Sequence, residues 1–206
     1  MHKAGLVTIP SQSLNVRVVA FARFPVAGMC KTRLIPKVGA NGAAAIHTRL
    51  VEKCVAAMRG SGLKIELWTT GGDAVQFGDW LGHDIAFVDQ GDGDLGDRLG
   101  RAAAPYPVIF IGSDAPDLNA ARLRAAAAAL ATAPAVIGPA EDGGYYLLGL
   151  NTPAPWLFTD MDWGTESVFA ETMRRFDAHG IAPVVLETLA DLDRPEDLAR
   201  WPELML

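Results

Sequence analysis

Apolar residues recur in two alternating rhythms along the chain: short continuous runs, and longer stretches at three- and four-residue spacing. Val16–Ala22 (VRVVAFA) reads as a buried strand. Asn41–Arg59 follows as a helix, with Ile46, Leu50, Cys54, Val55 and Met58 along one face. The alternation continues with a strand at Leu63–Thr69, a helix at Ala74–Leu81, a strand at Ile85–Val88, a helix at Leu95–Ala104 and a strand at Val108–Ile111. Leu118–Ala131 is an Ala-rich helix, Ala135–Gly138 and Tyr145–Leu150 are strands, and Glu166–His179 is a helix. Pro183–Leu186 reads as the last strand and Pro195–Trp201 as a closing helix, with Asp193 placed to cap it. Repeated β-α-β units predict an α/β chain with a mainly parallel sheet between helical layers. In such sheets ligands bind beyond the carboxyl ends of the strands.

The length of 206 residues suits a single domain, 1–206, with residues 1–14 a flexible N-terminal extension. Half the residues are hydrophobic, enough for a sizeable core. Acidic residues exceed basic ones, 24 against 18, which leaves no broad basic face for a nucleic-acid partner. No apolar run has membrane-spanning length, and the first thirteen residues lack the apolar core of a signal peptide. Cys30 and Cys54 are too few for a disulfide framework or a Cys-rich zinc site, so a reducing cytoplasm is the expected setting.

The strand ends carry the unusual chemistry. After the first strand come Arg23, Lys31, Arg33 and Lys37, four cations around Pro25 and Gly28 in an otherwise acidic chain. Lys31, Arg33 and Lys37 suit phosphate oxygens, although a solvated basic loop explains the same residues. This is no Walker A loop, because Cys30 stands where the Gly before the Lys belongs. The third strand runs into Gly91-Asp-Gly93-Asp94-Leu95-Gly96, which fits a dinucleotide fingerprint. Asp92, Asp94 and Asp97 would face the pyrophosphate, so a tight strand-to-helix turn or a loop around a base or ribose fits better. After the fourth strand come Ser113, Asp114 and Asp117. An unpaired carboxylate is costly to bury, so Asp114 belongs at the sheet edge, where Mg²⁺ is a natural partner. Asp117 reads as a helix N-cap before Leu118. Asp142-Gly143-Gly144-Tyr145 supplies either a hairpin turn or a close approach to an acceptor. Trp163-Gly164-Thr165-Glu166 opens a helix with Thr165 as its N-cap. Asp191 and Asp193 follow the last strand, one suited to capping and the other to a metal.

Five segments in order, Phe21–Leu34, Gly93–Gly96, Ile111–Pro116, Asp142–Tyr145 and Asp191–Leu198, resemble a bacterial family known as a domain of unknown function. The same family includes glycosyltransferases associated with radical-SAM or arsenosugar gene clusters. It belongs to the nucleotide-diphospho-sugar transferase superfamily, beside molybdenum cofactor and phospholactate guanylyltransferases. The resemblance implies a three-layer α/β/α, Rossmann-like glycosyltransferase-A fold with a mixed, mainly parallel sheet. It implies a nucleotide site of Ala22, Arg23, Gly28, Lys31, Arg33, Gln90, Gly93, Asp94, Leu95, Arg98 and Ser113. Asp142, Gly143, Gly144, Tyr145, Trp163 and Thr165 would meet a small-molecule acceptor. Asp114 would be the main ligand of Mg²⁺ (or Mn²⁺), with Asp193, and Asp191 behind it, as the second carboxylate. Lys31, Arg33 and Asp114 would act directly on the reacting groups, with Asp142 the candidate general base. Arg23 stands where Lys is commoner, Arg194 where Thr is commoner, and Ser113-Asp114-Ala115 replaces the Asp-x-Asp of many glycosyltransferases.

The expected function is therefore a Mg²⁺-dependent transferase using a nucleotide sugar or a nucleoside triphosphate. Glycosyl transfer is the leading form and nucleotidyl transfer, releasing pyrophosphate, the alternative. A nucleotide-binding protein without turnover and an NAD-dependent oxidoreductase using Gly91, Gly93 and Gly96 are the rivals.

Overall fold

The chain is described by a computed structural model covering residues 15–205. The expected N-terminal extension, residues 1–14, lies outside the described residues. The strands are β1 (Arg17–Arg23), β2 (Lys64–Thr70), β3 (Ala86–Asp89), β4 (Val108–Ile111), β5 (Ala135–Pro139), β6 (Tyr145–Leu150) and β7 (Val184–Val185). The helices are α1 (Ile35–Ser61), α2 (Ala74–Leu81), α3 (Leu95–Ala102), α4 (Ala120–Leu130) and α5 (Val168–Ala178). They form an α/β fold around one seven-stranded sheet in the order β3-β2-β1-β4-β6-β5-β7. Only β6 runs against its neighbours, β4 and β5; the other pairs are parallel.

Strand side chains alternate between faces with a period of two, and two cores result. Val18, Ala20 and Ala22 of β1 join Ile109 and Ile111 of β4 against Val51, Val55 and Met58 of α1 and Leu123 and Leu130 of α4. Val19 of β1 joins Val108 and Phe110, with Phe21 packed alongside, against Leu99 of α3 and Phe176 of α5. A third cluster docks the C-terminal segment on the start of α1: Leu34, Ile46 and Leu50 meet Leu192, Leu198, Trp201 and Leu204.

Strand and helix identities follow the apolar rhythm, and the departures have local causes. α1 starts earlier than Asn41 because Gly39 (φ 73°) joins a short first turn to the long helix across a kink. α4 is capped by Asn119, whose side chain accepts from the N–H groups of Ala121 and Arg122. Asp117 instead accepts from the Trp201 indole at 3.2 Å, so it pins the C-terminal segment rather than capping a helix. Thr165 caps nothing either. Its hydroxyl donates to the Asp162 carbonyl, and α5 starts only at Val168. The expected closing helix shrinks to a 3₁₀ turn at Asp197–Ala199. There Asp197, not Asp193, accepts the main-chain N–H groups of Asp193 and Arg194, at 3.0 and 2.7 Å. Pro195 and Pro202 flank the turn and interrupt any longer helix. That exchange leaves the Asp193 carboxylate available to other partners.

Candidate functional site

Parallel β1, β2, β3 and β4 end at one edge of the sheet. Because β6 is antiparallel to β4, with Ile111 opposite Leu147, the β5–β6 turn lies at that same edge. Every strand-end segment singled out above therefore faces one region, and two adjoining cavities open there.

The first cavity, about 450 Å³, takes Ala22, Arg23, Lys31 and Arg33 from β1 and its loop, Gln90 and Arg98 from around α3, and Ser113, Asp114 and Asp193. The second, about 430 Å³, takes Leu95, Asp142, Gly144, Tyr145, Trp163, Thr165 and Asp191. Phe21, Ser113, Asp114 and Asp193 line both.

The link between the cavities is built around Lys31. This residue adopts a left-handed backbone (φ 45°, ψ 44°), uncommon for a side-chain-bearing residue and typical of functional sites. Its side chain is only 5% exposed, and its ammonium lies 3.0 Å from an Asp114 oxygen and 3.7 Å from an Asp193 oxygen. The same ammonium donates to the Leu192 carbonyl at 2.6 Å, while the Leu192 N–H donates to the Asp114 carbonyl at 2.8 Å. Leu192 is fully buried in the third cluster, so it fixes Asp193 beside both partners. Arg33 closes the group with an ion pair to Asp193. Two carboxylates from different strand ends thus converge on one cationic position.

Gln90 and Arg98 form a second, supporting arrangement. Buried Gln90 donates to the carbonyls of Ala22 (3.2 Å) and Trp68 (2.9 Å) and accepts from Arg98 (2.9 Å). Its hydrogen-bonding capacity goes into tying β1 and β2 together and aiming Arg98, not into an exposed base-reading edge.

Gly28, Lys37, Gly93 and Asp94 line neither cavity, and Leu95 lines the second rather than the first. Asp94 and Asp97 cap α3 reciprocally: each carboxylate accepts the other's N–H, at 2.9 and 3.1 Å. Two of the three aspartates that would repel a pyrophosphate are thus cap residues, and Gly96 is small because a Cβ there would strike the Phe158 carbonyl. Gly143 also serves packing, since its φ of +87° and lack of Cβ admit the Glu166 backbone. Asp142 accepts from the Gly144 N–H at 2.8 Å, as an Asx turn does, and this turn closes the β5–β6 hairpin.

Asp191 lines the second cavity and not the first. Partial burial, then the neighbouring charges of Asp142, Asp193 and Asp197, push its carboxyl up to about 6. His47, absent from the expected site, lines the first cavity and is buried, with Nε2 2.9 Å from the Arg23 carbonyl. Burial lowers its pKa below the usual histidine value. Its position next to Ile46 on a strongly patterned helix concealed it. Thr70, also in the first cavity, was findable as the last residue of β2.

Among the described residues, no group of three or more His, Cys, Asp or Glu side chains is arranged to hold a metal ion. A site based on Asp114 and Asp193 would draw its remaining ligands from phosphate oxygens and water, as Mg²⁺ commonly does. Cys30 and Cys54 are both free thiols. Among the described residues, no helix is long and apolar enough to cross a membrane.

Residues 52–165 match the profile of a family described as an uncharacterized protein conserved in bacteria (DUF2064). No curated protein matches the sequence. Among solved structures, the chain is similar to a candidate nucleotide-diphospho-sugar transferase from Desulfovibrio desulfuricans G20. The two share 28% identity over 92% of this chain and 87% of that one, with a TM-score of 0.84. The fold is also that of a nucleotidyl transferase from Methanothermobacter (19% identity, 92% and 97% covered, TM-score 0.59). A third similar structure is glucosyl-3-phosphoglycerate synthase from Mycobacterium tuberculosis, in complex with Mn²⁺, uridine diphosphate and phosphoglyceric acid (12%, 97% and 79%, TM-score 0.56). With the family profile spanning more than half of it, the chain belongs to the DUF2064 family and has the nucleotide-diphospho-sugar transferase fold.

Proposed function

We propose that the chain is a divalent-metal-dependent transferase that takes a nucleotide sugar in the first cavity and transfers the sugar to a small acceptor in the second. The observation that carries this reading is that Asp114 and Asp193 line both cavities while Lys31 of the first cavity pairs with both. A transferase needs charge control where donor and acceptor meet.

Lys31 and Arg33 hold the donor phosphates and neutralise charge on the departing nucleoside diphosphate. Arg23 and Arg98 add positive charge to the same wall. Asp114 and Asp193, with Asp191 in reserve, would hold Mg²⁺ or Mn²⁺. When bound, the ion supplies Lewis-acid stabilisation of phosphate oxygens. Asp142 takes the proton of the acceptor nucleophile as the new bond to the anomeric carbon forms. Positioning supplies much of the remaining rate, because the shared walls set donor and acceptor side by side.

The cationic loop also favours a second reading, nucleotidyl transfer, since Lys31 and Arg33 suit the added charge of a triphosphate. There the acceptor attacks the α-phosphorus and pyrophosphate leaves. Incubating the protein with Mg²⁺ or Mn²⁺, an acceptor mixture and a panel of nucleotide sugars and triphosphates separates the two. Glycosyl transfer yields a nucleoside diphosphate from a nucleotide sugar. Pyrophosphate released from a triphosphate would overturn it in favour of the second reading.

A further inference from the structure

The two cavities differ sharply in charge, and the difference bears on the acceptor. The first is lined by Arg23, Lys31, Arg33 and Arg98. Among the described residues, no Lys, Arg or His lines the second, which carries Asp114, Asp142, Asp191 and Asp193. The Lys31 ammonium serves Asp114 and Asp193, leaving Asp142 and Asp191 without a cationic partner on the cavity wall. The outer groove beyond that wall does not reverse the balance, with two arginines against six carboxylates, and Arg33 there already pairs with Asp193.

The remaining surface of the second cavity is apolar and aromatic, with Phe21, Phe110, Tyr145 and Trp163 among its walls. Aromatic walls reward an apolar ring or chain, and a few polar groups then fix its orientation. The indole nitrogen of Trp163 is buried beside Gly96 without a hydrogen-bond partner among the described residues, so Trp163 contributes its apolar ring to the cavity wall.

Resting on the transferase reading above, we propose that the second cavity selects an acceptor with no anionic group: a hydroxyl- or amine-bearing molecule with an apolar ring or chain. Phosphorylated and carboxylated acceptors are disfavoured by exposed Asp142 and half-buried Asp191, like charges that they would meet on the same wall.

The test uses the full chain, isotopically labelled, and the assigned indole signal of Trp163. Three ring compounds of matched size are titrated: 3-phenylpropanol, 3-phenylpropylamine and 3-phenylpropionate. The alcohol and the amine are expected to shift the Trp163 signal, with the carboxylate binding at least about tenfold more weakly. In the double variant Asp142→Asn/Asp191→Asn the carboxylate should rise to the affinity of the alcohol. A carboxylate that binds the wild-type chain as well as the alcohol overturns the proposal. So does a Trp163 signal that no compound moves, or discrimination that survives the double variant. A separate titration with uridine diphosphate and Mg²⁺ reads the first cavity. Its failure would overturn the nucleotide reading and leave the selection of acceptors by charge standing.

Discussion

The loop after β1 and the loop after β3 look alike in sequence: both follow a strand, both carry glycines, and both are rich in charge. Their charges go to different partners. After β3, Asp89 accepts from Gly91, Asp94 and Asp97 cap each other three residues apart, and Arg101 holds the carbonyls of Gln90 and Asp92. After β1, the turn is held by main-chain bonds such as Met29 N–H to the Val26 carbonyl. Lys31 and Arg33 are thereby left to reach Leu192 and Asp193, 161 and 160 residues away. A charge used on its own loop shapes that loop, whereas one that crosses the sheet edge can build a site.

Lys31→Met tests the contrast most severely. It should lower kcat/KM by roughly 10²–10³-fold, the scale of losing one preorganised charge-stabilising group. Steady-state kinetics decide, and a loss below tenfold would place Lys31 with the self-directed charges of the β3 loop. Next in size is Gly96→Ala, whose added methyl meets the Phe158 carbonyl and lies 2.9 Å from the Trp163 indole nitrogen. Urea unfolding should show a loss of about 1–3 kcal/mol, the usual range for overpacking. Asp94→Ala removes one half of the reciprocal cap and should cost about 1 kcal/mol of stability. Calorimetric nucleotide affinity should stay within about threefold of wild type, as for a substitution remote from the ligand. A larger drop in affinity would mean that the β3 loop also addresses the nucleotide.

The smallest effect concerns His47, which supports the β1 loop through the Arg23 carbonyl. Its folded pKa lies below the ordinary 6.5, so the unfolded chain binds more protons as pH falls past that value. Its contribution therefore destabilises the fold progressively from about pH 6.5 downward, until the folded pKa is passed. His47→Gln should flatten that part of the stability–pH curve in denaturant titrations. An unchanged slope would show that burial does not depress this histidine.

The sheet and most helices were legible because apolar spacing reports burial directly, as Val18, Ala20 and Ala22 against Val19 and Phe21 illustrate. The cap assignment at Thr165 failed because its hydroxyl turns back to the Asp162 carbonyl, and those at Asp117 and Asp193 failed for a common reason. Each residue has the right chemistry for a helix terminus, but Asn119 and Asp197 compete from nearby positions, and tertiary partners such as Trp201 and Arg33 claim Asp117 and Asp193. The meeting of Lys31, Asp114 and Asp193 was inferable from strand-end logic and the family resemblance. The role of Gln90 as a β1–β2 tie was not, because a sequence does not reveal which polar side chains are satisfied by backbone carbonyls.

A nascent chain that has emerged as far as β7 already contains every strand of the sheet. It still lacks Leu192, whose main-chain N–H and carbonyl join Asp114 to Lys31. Contacts that close such long loops form slowly relative to local ones. The capacity to capture a nucleotide would then arise only after the segment beyond β7 has been made, and ligand retention would report that this segment had docked.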